Sequence, residues 1–89
     1  MELNMNVLEN EIFRSLLEDA QLLYIYATLK SEDGLLENLD EFGDYLMMDV
    51  YVAMGALETH GLIRYNGEHD SIKIIEEPEF FQDGVLIRY

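Results

Sequence analysis

The stretch from residue 48 to residue 75, MDVYVAMGALETHGLIRYNGEHDSIKII, constrains the fold more than any other part of the chain. Asp49 has a side chain typical of helix N-caps, and the apolar residues after it recur at three- and four-residue spacings through Thr59. Gly61 follows at the kind of position where a glycine commonly ends a helix in the left-handed conformation. The pattern predicts a helix that begins after Asp49 and ends before Gly61.

Two short segments after this helix have the composition of β-strands. Residues 62–65 and 71–75 are rich in isoleucine and other strand-forming residues, and the turn pair Asn66-Gly67 lies between them. This pattern predicts a β-hairpin, and residues 85–89 are predicted as a last strand that adds to the same sheet. A helix followed by a hairpin predicts an α+β fold.

A first long helix is predicted by residues 11–29, in which isoleucine, leucine, alanine and tyrosine recur every three or four residues. We expect a break near residues 17–19, and the SEDG sequence at residues 31–34 stops the helix. Before this helix, apolar and polar side chains alternate within residues 1–10. That alternation predicts a short strand or an extended arm.

A second helix is predicted over residues 39–46, after a short extended piece at residues 35–36. Asn38 and Glu41 have the spacing of a capping box, in which the N-cap residue and the third helical residue exchange side-chain to backbone hydrogen bonds. The side chains that we expect to face the core are Leu39, Phe42 and Leu46.

The charge of the chain restricts its partners, because it has 19 acidic and only 5 basic residues, for a formal net charge of −14. Nucleic-acid affinity comes largely from lysines and arginines, so direct DNA binding is disfavoured. The charge either maintains solubility or meets a basic site on another protein. No apolar run suffices to span a membrane and the N-terminal sequence lacks a basic start, so we expect a cytoplasmic protein without a membrane partner.

Two segments of the chain resemble a known domain. Residues 12–34, IFRSLLEDAQLLYIYATLKSEDG, are similar to the first helix of the N-terminal winged helix-turn-helix domains of phage and plasmid replication initiators and DnaD-like replisome organisers. Residues 50–65, VYVAMGALETHGLIRY, resemble the recognition helix and first wing strand of that fold. The resemblance implies three helices with a two- or three-stranded antiparallel wing. One domain would cover residues 1–89, with residues 1–10 as an arm or short strand and residues 76–89 extending the wing sheet.

The chain departs from the DNA-reading members of that family on the outward face of its third helix. The face has no basic residue and little capacity to bond base edges, while exposed apolar side chains there favour a protein contact. Two alternatives stay open: residues 78–81 or the N-terminal arm cover this face within the monomer, or it is a dimer or partner interface. The candidate protein-binding residues are Asp40, Glu41, Asp44, Met48, Asp49, Tyr51 and Val52.

Arg64 and Lys73 concentrate positive charge in the predicted wing. They are able to contact phosphates of a nucleic-acid backbone, which makes them the candidate residues if the chain binds DNA after all. Several acidic residues lie close by in sequence, so cross-strand ion pairing is the commoner explanation for such cations.

Other chemistry is not indicated by the sequence. His60 and His69 are the only histidines and the chain has no cysteine, so the pattern does not match a metal site. The serines lie in no recognisable nucleophile motif, and no glycine-rich phosphate loop is present. We therefore predict that the protein is not an enzyme and binds no cofactor.

These patterns favour a small acidic regulatory or inhibitory protein that acts by binding another protein. Its acidic surface would occupy a basic nucleic-acid-binding site as a DNA mimic, or its third helix would pack on a partner. The resemblance implies a phage or mobile-element origin, as for an anti-CRISPR or host-takeover inhibitor in the host cytoplasm. The first alternative is a dimeric DNA-binding transcription or replication regulator. The second is a structural dimerisation module, and a homodimer is the expected oligomeric state.

Overall fold

A computed structural model describes residues 2–76 of the chain. Within that range the fold is α+β, with five helices and an antiparallel sheet of three strands. In chain order the elements are α1 (Met5–Leu8), α2 (Glu11–Arg14), α3 (Glu18–Lys30), β1 (Leu35–Leu36), α4 (Leu39–Leu46), α5 (Val50–Thr59), β2 (Ile63–Asn66) and β3 (Ser71–Ile74). No helix in this range combines the length and apolar character needed to cross a membrane.

Helices α4 and α5 have the predicted bounds, and the extended piece expected before α4 is β1. Asp49 caps α5, because its carboxylate accepts hydrogen bonds from the backbone N–H groups of Tyr51 and Val52 at 3.1 and 3.3 Å. Gly61 follows with φ 71°, which confirms the left-handed stop. Local capping signals therefore determine where α5 begins and ends.

Residues 5–8 form helix α1 instead of the predicted strand or extended arm. The side-chain oxygen of Asn4 accepts hydrogen bonds from the backbone N–H groups of Asn6 and Val7, at 3.0 and 3.4 Å. This N-cap satisfies two donors that a helix end would otherwise leave free. Its contribution outweighs the alternating pattern of apolar residues on which the strand prediction depended.

The helix predicted over residues 11–29 is divided into α2 and α3. The break lies at residues 15–17, slightly before the expected position. Asn10 caps α2 by accepting a hydrogen bond from the backbone N–H of Ile12 at 2.8 Å. Leu17 then has an extended backbone, with ψ 153°, and α3 begins at the next residue.

The sheet has the strand order β1-β3-β2, and both neighbouring pairs are antiparallel. Asn66 lies opposite Ser71 at the end of the β2–β3 pair, so this residue belongs to β2 and not to the turn as predicted. The turn consists of residues 67–70 and ends with Asp70 in the left-handed region, at φ 47°. One face of the sheet is buried and carries Leu36, Ile63, Ile72 and Ile74.

The core lies between this buried sheet face and the helices, with α3 packed against α5. Tyr24 on α3 is buried, and its ring meets the ring of Phe13 edge to face at a centroid distance of 5.3 Å. Of the predicted inward positions on α4, Leu39 and Phe42 are buried and Leu46 is half-buried. The opposite sides of α4 and of the start of α5 are exposed.

Three sequence predictions reach beyond the residues that the structure describes. The strand at residues 85–89 lies outside them, as does the segment at residues 78–81 that one alternative places over α5. The extension of the sheet over residues 76–89 is described only at Glu76. The backbone carbonyl of Glu76 accepts a hydrogen bond from Asn4 Nδ2 at 3.3 Å, which joins the N-terminal segment to the end of the described chain.

Candidate functional site

Four exposed carboxylates lie on α4 and at the start of α5. Asp40 and Glu41 are in the first turn of α4, and Asp44 is one turn further along the same side of the helix. Asp49 follows in the short connection to α5. We call this surface the acidic helical face and define it by Asp40, Glu41, Asp44, Asp49, Tyr51 and Val52.

The N-terminus of α4 is capped by a residue from the turn between β2 and β3. The backbone N–H of Leu39 donates to the carbonyl oxygen of Asp70 at 2.9 Å, and the N–H of Asp40 donates to Asp70 Oδ2 at 3.0 Å. Asn38 has φ 56° and makes no side-chain cap, so the predicted capping box with Glu41 is wrong. The start of the acidic helical face is therefore held by the hairpin turn.

The carboxylate of Asp70 also brings Tyr51 to this surface. The Tyr51 hydroxyl donates to Asp70 Oδ1 at 2.7 Å, and the Tyr65 hydroxyl donates to the same oxygen at 3.3 Å. The two rings meet edge to face, with centroids 6.1 Å apart. Tyr51 and Asp40 are thus both attached to Asp70, although they belong to different helices.

These contacts change the pKa values of the groups involved. The hydrogen bond from Tyr51, and then that from the Asp40 backbone, lowers the pKa of Asp70 below the usual value of 3.8. The same hydrogen bond raises the pKa of Tyr51 above 10.0, since ionisation would remove a donor from the carboxylate. Partial burial raises the pKa of Tyr65, with smaller effects from Asp70. At neutral pH, Asp70 is therefore an anion held by two neutral phenols.

The apolar candidates differ in how far they reach the surface. Val52 is 73% exposed on the first turn of α5, and Tyr51 is also exposed. Met48 is half-buried and packs against the core, so it contributes less to the surface than predicted. Met47 was not among the predicted site residues, yet it is 91% exposed at φ 58°. One sequence signal for this was missed: no glycine lies between α4 and α5. A residue with a side chain therefore has to adopt the left-handed conformation there.

The two cations predicted as alternative site residues lie on the outer face of the sheet. Arg64 of β2 and Lys73 of β3 are direct cross-strand partners, and Leu35 of β1 pairs with Lys73 on its other side. Within the described strands, neither cation has an acid as its direct partner, so the predicted cross-strand ion pairing is not formed in this register. We call the surface made by Leu35, Arg64 and Lys73 the basic sheet face.

Metal binding has no support within residues 2–76, where no group of three or more histidine or acidic side chains is arranged to hold an ion. His60 is exposed at the C-cap of α5, and His69 is exposed in the hairpin turn. Asp70 uses its carboxylate oxygens to accept hydrogen bonds from Tyr51, Tyr65 and Asp40. These groups make a structural contact between the turn and the two helices.

Comparisons with known proteins identify no relative, so any functional conclusion depends on the fold and on the two faces described above. No protein-family model matches the chain, and no curated protein or solved structure is significantly similar to it. The class that can be stated is therefore an α+β fold, with helices on one side of a three-stranded antiparallel sheet. Its solvent-exposed helices carry acids and apolar residues, and its outer sheet face carries two cations.

Proposed function

We propose that the described residues form a winged helix, with α3, α4 and α5 as its three helices and β2–β3 as its wing. The order of elements supports this proposal, since a short strand, β1, lies between α3 and α4 and pairs with the hairpin that follows α5. In this interpretation α5 is the helix that DNA-binding members place in a groove. Its exposed side is then the part of the fold on which function depends.

We propose further that this protein binds another protein through the acidic helical face. The observation that carries the proposal is the absence of lysine and arginine from residues 39–59, which contain the whole acidic helical face with its four exposed carboxylates and two exposed apolar side chains. A phosphate backbone would be repelled by such a surface, whereas a basic protein surface would be attracted. Exposed tyrosine and valine beside the charges provide the apolar area that protein interfaces use.

The partner that fits this surface best is the basic nucleic-acid-binding site of another protein. The carboxylates of α4 would take the place of phosphates, and the protein would act as a regulator or inhibitor by occupying the site. The sequence resemblance to phage replication domains supports a phage or mobile-element origin for such an inhibitor. Competition with duplex DNA for the same partner is the expected behaviour of a DNA mimic.

Affinity capture from an extract of the cells in which the protein acts tests this proposal. We expect a basic nucleic-acid-binding protein to be retained at low salt, released at high salt and displaced by added duplex DNA. The triple variant D40N/E41Q/D44N should lose the partner. The matched control E2Q/E9Q/E11Q neutralises three exposed acids elsewhere and should retain it. Equal loss in both variants would show that net charge, and not this face, determines binding.

A second candidate function, DNA binding by a dimeric regulator, is favoured by the pairing of Arg64 with Lys73 across β2 and β3. Two adjacent cations on one exposed face are able to contact neighbouring phosphates. A salt-titrated binding assay with duplex DNA distinguishes this function. Micromolar affinity at physiological salt that falls steeply with added salt, and is weakened in R64Q/K73Q, would contradict the DNA-mimic proposal.

A further inference from the structure

Helix α3 has apolar side chains on the face that packs in the core and also on the face turned to solvent. Ala20, Leu23, Tyr24 and Ala27 are buried on the inner side. Leu22, Tyr26 and Leu29 are exposed on the outer side, at the three- and four-residue spacing of a single helical stripe. A helix that is apolar all round is usually covered on both sides, so this outer stripe has the character of a contact surface.

The stripe continues into a groove between α3 and the end of α4. The groove has a volume of about 410 Å³ and is lined by Leu22, Tyr26, Tyr45, Leu46 and Met48. Tyr45 forms one wall: it is 61% exposed and its ring stacks on Phe42 at a centroid distance of 5.9 Å. The half-buried side chain of Met48 lies under the groove and also packs against the core.

Helical spacing places carboxylates next to the residues that line this groove, on both helices. Glu18 lies one turn before Leu22 on α3, and Glu41 lies one turn before Tyr45 on α4. Asp19 and Asp44 are exposed beside them. A cation also lies near the groove: Nζ of Lys30 is 5.4 Å from the centre of the Tyr45 ring. The border is therefore mainly negative around an apolar floor.

We propose that this groove binds an amphipathic helix of the partner protein, with an apolar stripe on the floor and lysine or arginine side chains on the bordering carboxylates. The inference rests on the proposed function and names the structural element of the partner that would be recognised. Helix-in-groove recognition uses anchors at the same three- and four-residue spacing that α3 presents. At 1.5 Å per residue, the exposed stripe from Leu22 to Leu29 is about 10 Å long, which suits about two turns of a helix.

Charge complementarity favours this occupant over a second copy of the chain. A second copy has the same formal net charge of −14 and would bring its own carboxylates to the border. A basic helix would neutralise them instead, and its binding would weaken as salt increases. The residue that carries the apolar part of the contact is Leu22, which is 43% exposed on the floor of the groove.

Fluorescence anisotropy with a synthetic helix tests the proposal. The probe is a labelled peptide of about 18 residues with leucine at helical spacing and lysine at the remaining positions. A scrambled peptide of the same composition is the comparison. We expect the patterned peptide to bind more tightly, and Leu22→Gln to weaken its binding by about tenfold or more, as expected for loss of one buried leucine. Leu17→Gln is the matched control, since Leu17 is 82% exposed and lies outside the groove.

Three outcomes would overturn the groove proposal. Equal binding of both peptides, unaffected by Leu22→Gln, would mean that charge alone attracts basic partners and would leave the acidic helical face proposal intact. No binding of either peptide by the folded protein would reject the groove, whereas the capture experiment decides the proposed function separately. Self-association in light scattering that disappears in Leu22→Gln would identify a second copy as the occupant of the groove.

Discussion

The acidic helical face and the basic sheet face are both exposed, but they are built differently. On the helical face, Asp70 links the start of α4 to Tyr51 on α5 through hydrogen bonds of 2.7 to 3.0 Å. On the sheet face, Arg64 and Lys73 lie opposite each other, and Leu35 is the cross-strand partner of Lys73 on its other side. The backbone that carries Asp40 is therefore held in place by hydrogen bonds, while the two cations repel each other across the strands.

This difference supports the proposal that the helical face, and not the sheet face, binds a partner. A preorganised surface loses less conformational freedom on binding and gives more specific contacts. Two like charges without an acidic cross-strand partner would attract anions but would add little shape complementarity to a partner. We therefore expect changes on the helical face to affect partner binding strongly, and changes on the sheet face to affect mainly stability and residual DNA affinity.

Charge reversal on α4 has the largest expected effect. Replacing Asp40, Glu41 and Asp44 together by lysine turns three attractions to a basic partner into repulsions, which should weaken capture by about a hundredfold. Isothermal calorimetry with the captured partner measures the change. The same triple replacement at Glu2, Glu9 and Glu11 should have a much smaller effect. Comparable losses would remove the distinction between the helical face and the rest of the surface.

The glycines of the two helices give the next largest effect. A Cβ on Gly43 would lie 2.9 Å from Val50 Cγ2, so Gly43→Ala should destabilise the fold by about 1–3 kcal/mol. A Cβ on Gly55 would meet nothing within 4 Å, so Gly55→Ala should stabilise α5 by about 0.5–1 kcal/mol. Urea unfolding followed by circular dichroism measures both. A neutral Gly43→Ala would show that α4 can move away from α5 at little cost.

Arg64→Glu tests the repulsion on the basic sheet face. Glutamate opposite Lys73 replaces a like-charge pair by an attractive one, which should stabilise the sheet by about 0.2–1 kcal/mol. The gain should shrink at high salt, because both side chains are exposed. Asn66→Glu, which faces Ser71 instead of a cation, is the control. A destabilising Arg64→Glu would indicate that Arg64 makes contacts other than its pairing with Lys73.

The Asp70 contact gives the smallest effect, since it is open to solvent. The lowered pKa of Asp70 stabilises the fold above pH 3.8, and this contribution is lost as the pH falls through the folded-state pKa. The raised pKa of Tyr51 stabilises the fold below pH 10.0, and that contribution is lost as the pH rises through its folded-state value. Both of these pH-dependent changes in stability should be smaller in Tyr51→Phe than in the unaltered protein. Thermal unfolding measured from acid to alkaline pH tests this. Tyr45→Phe should behave like the unaltered protein.

Much of the fold could be predicted because its signals are local. Asp49, the apolar spacing after it and Gly61 together predicted the bounds of α5, and each acts within one helical turn. The N-terminal segment was predicted less well. An alternating pattern predicted a strand or arm before residue 11 and a periodic pattern predicted one long helix after it, but the caps at Asn4 and Asn10 begin two short helices instead. At both positions the side-chain hydrogen bonds at the start of the helix outweigh the pattern of apolar residues.

The sequence predicted which residues of the candidate site are exposed, but not the tertiary contacts that hold the site together. Exposure of Asp40, Glu41 and Asp44 follows from their spacing on a helix whose other side is apolar. No such pattern shows that Asp70, thirty positions after Asp40, caps α4 and binds Tyr51. The groove beside Tyr45 was likewise missed, because it depends on how α3 and α4 meet.

The amino-acid sequence by itself determined the α+β class, the bounds of α4 and α5, and a surface without cations on those helices. These properties depend on the local caps of α5, on periodicity and on composition, which act over a few residues. Only the tertiary structure decided that Arg64 faces Lys73, that Asp70 joins the hairpin turn to both helices, and that Met48 lies under a groove. Strand register and helix packing bring distant residues together, and their outcome depends on the whole core.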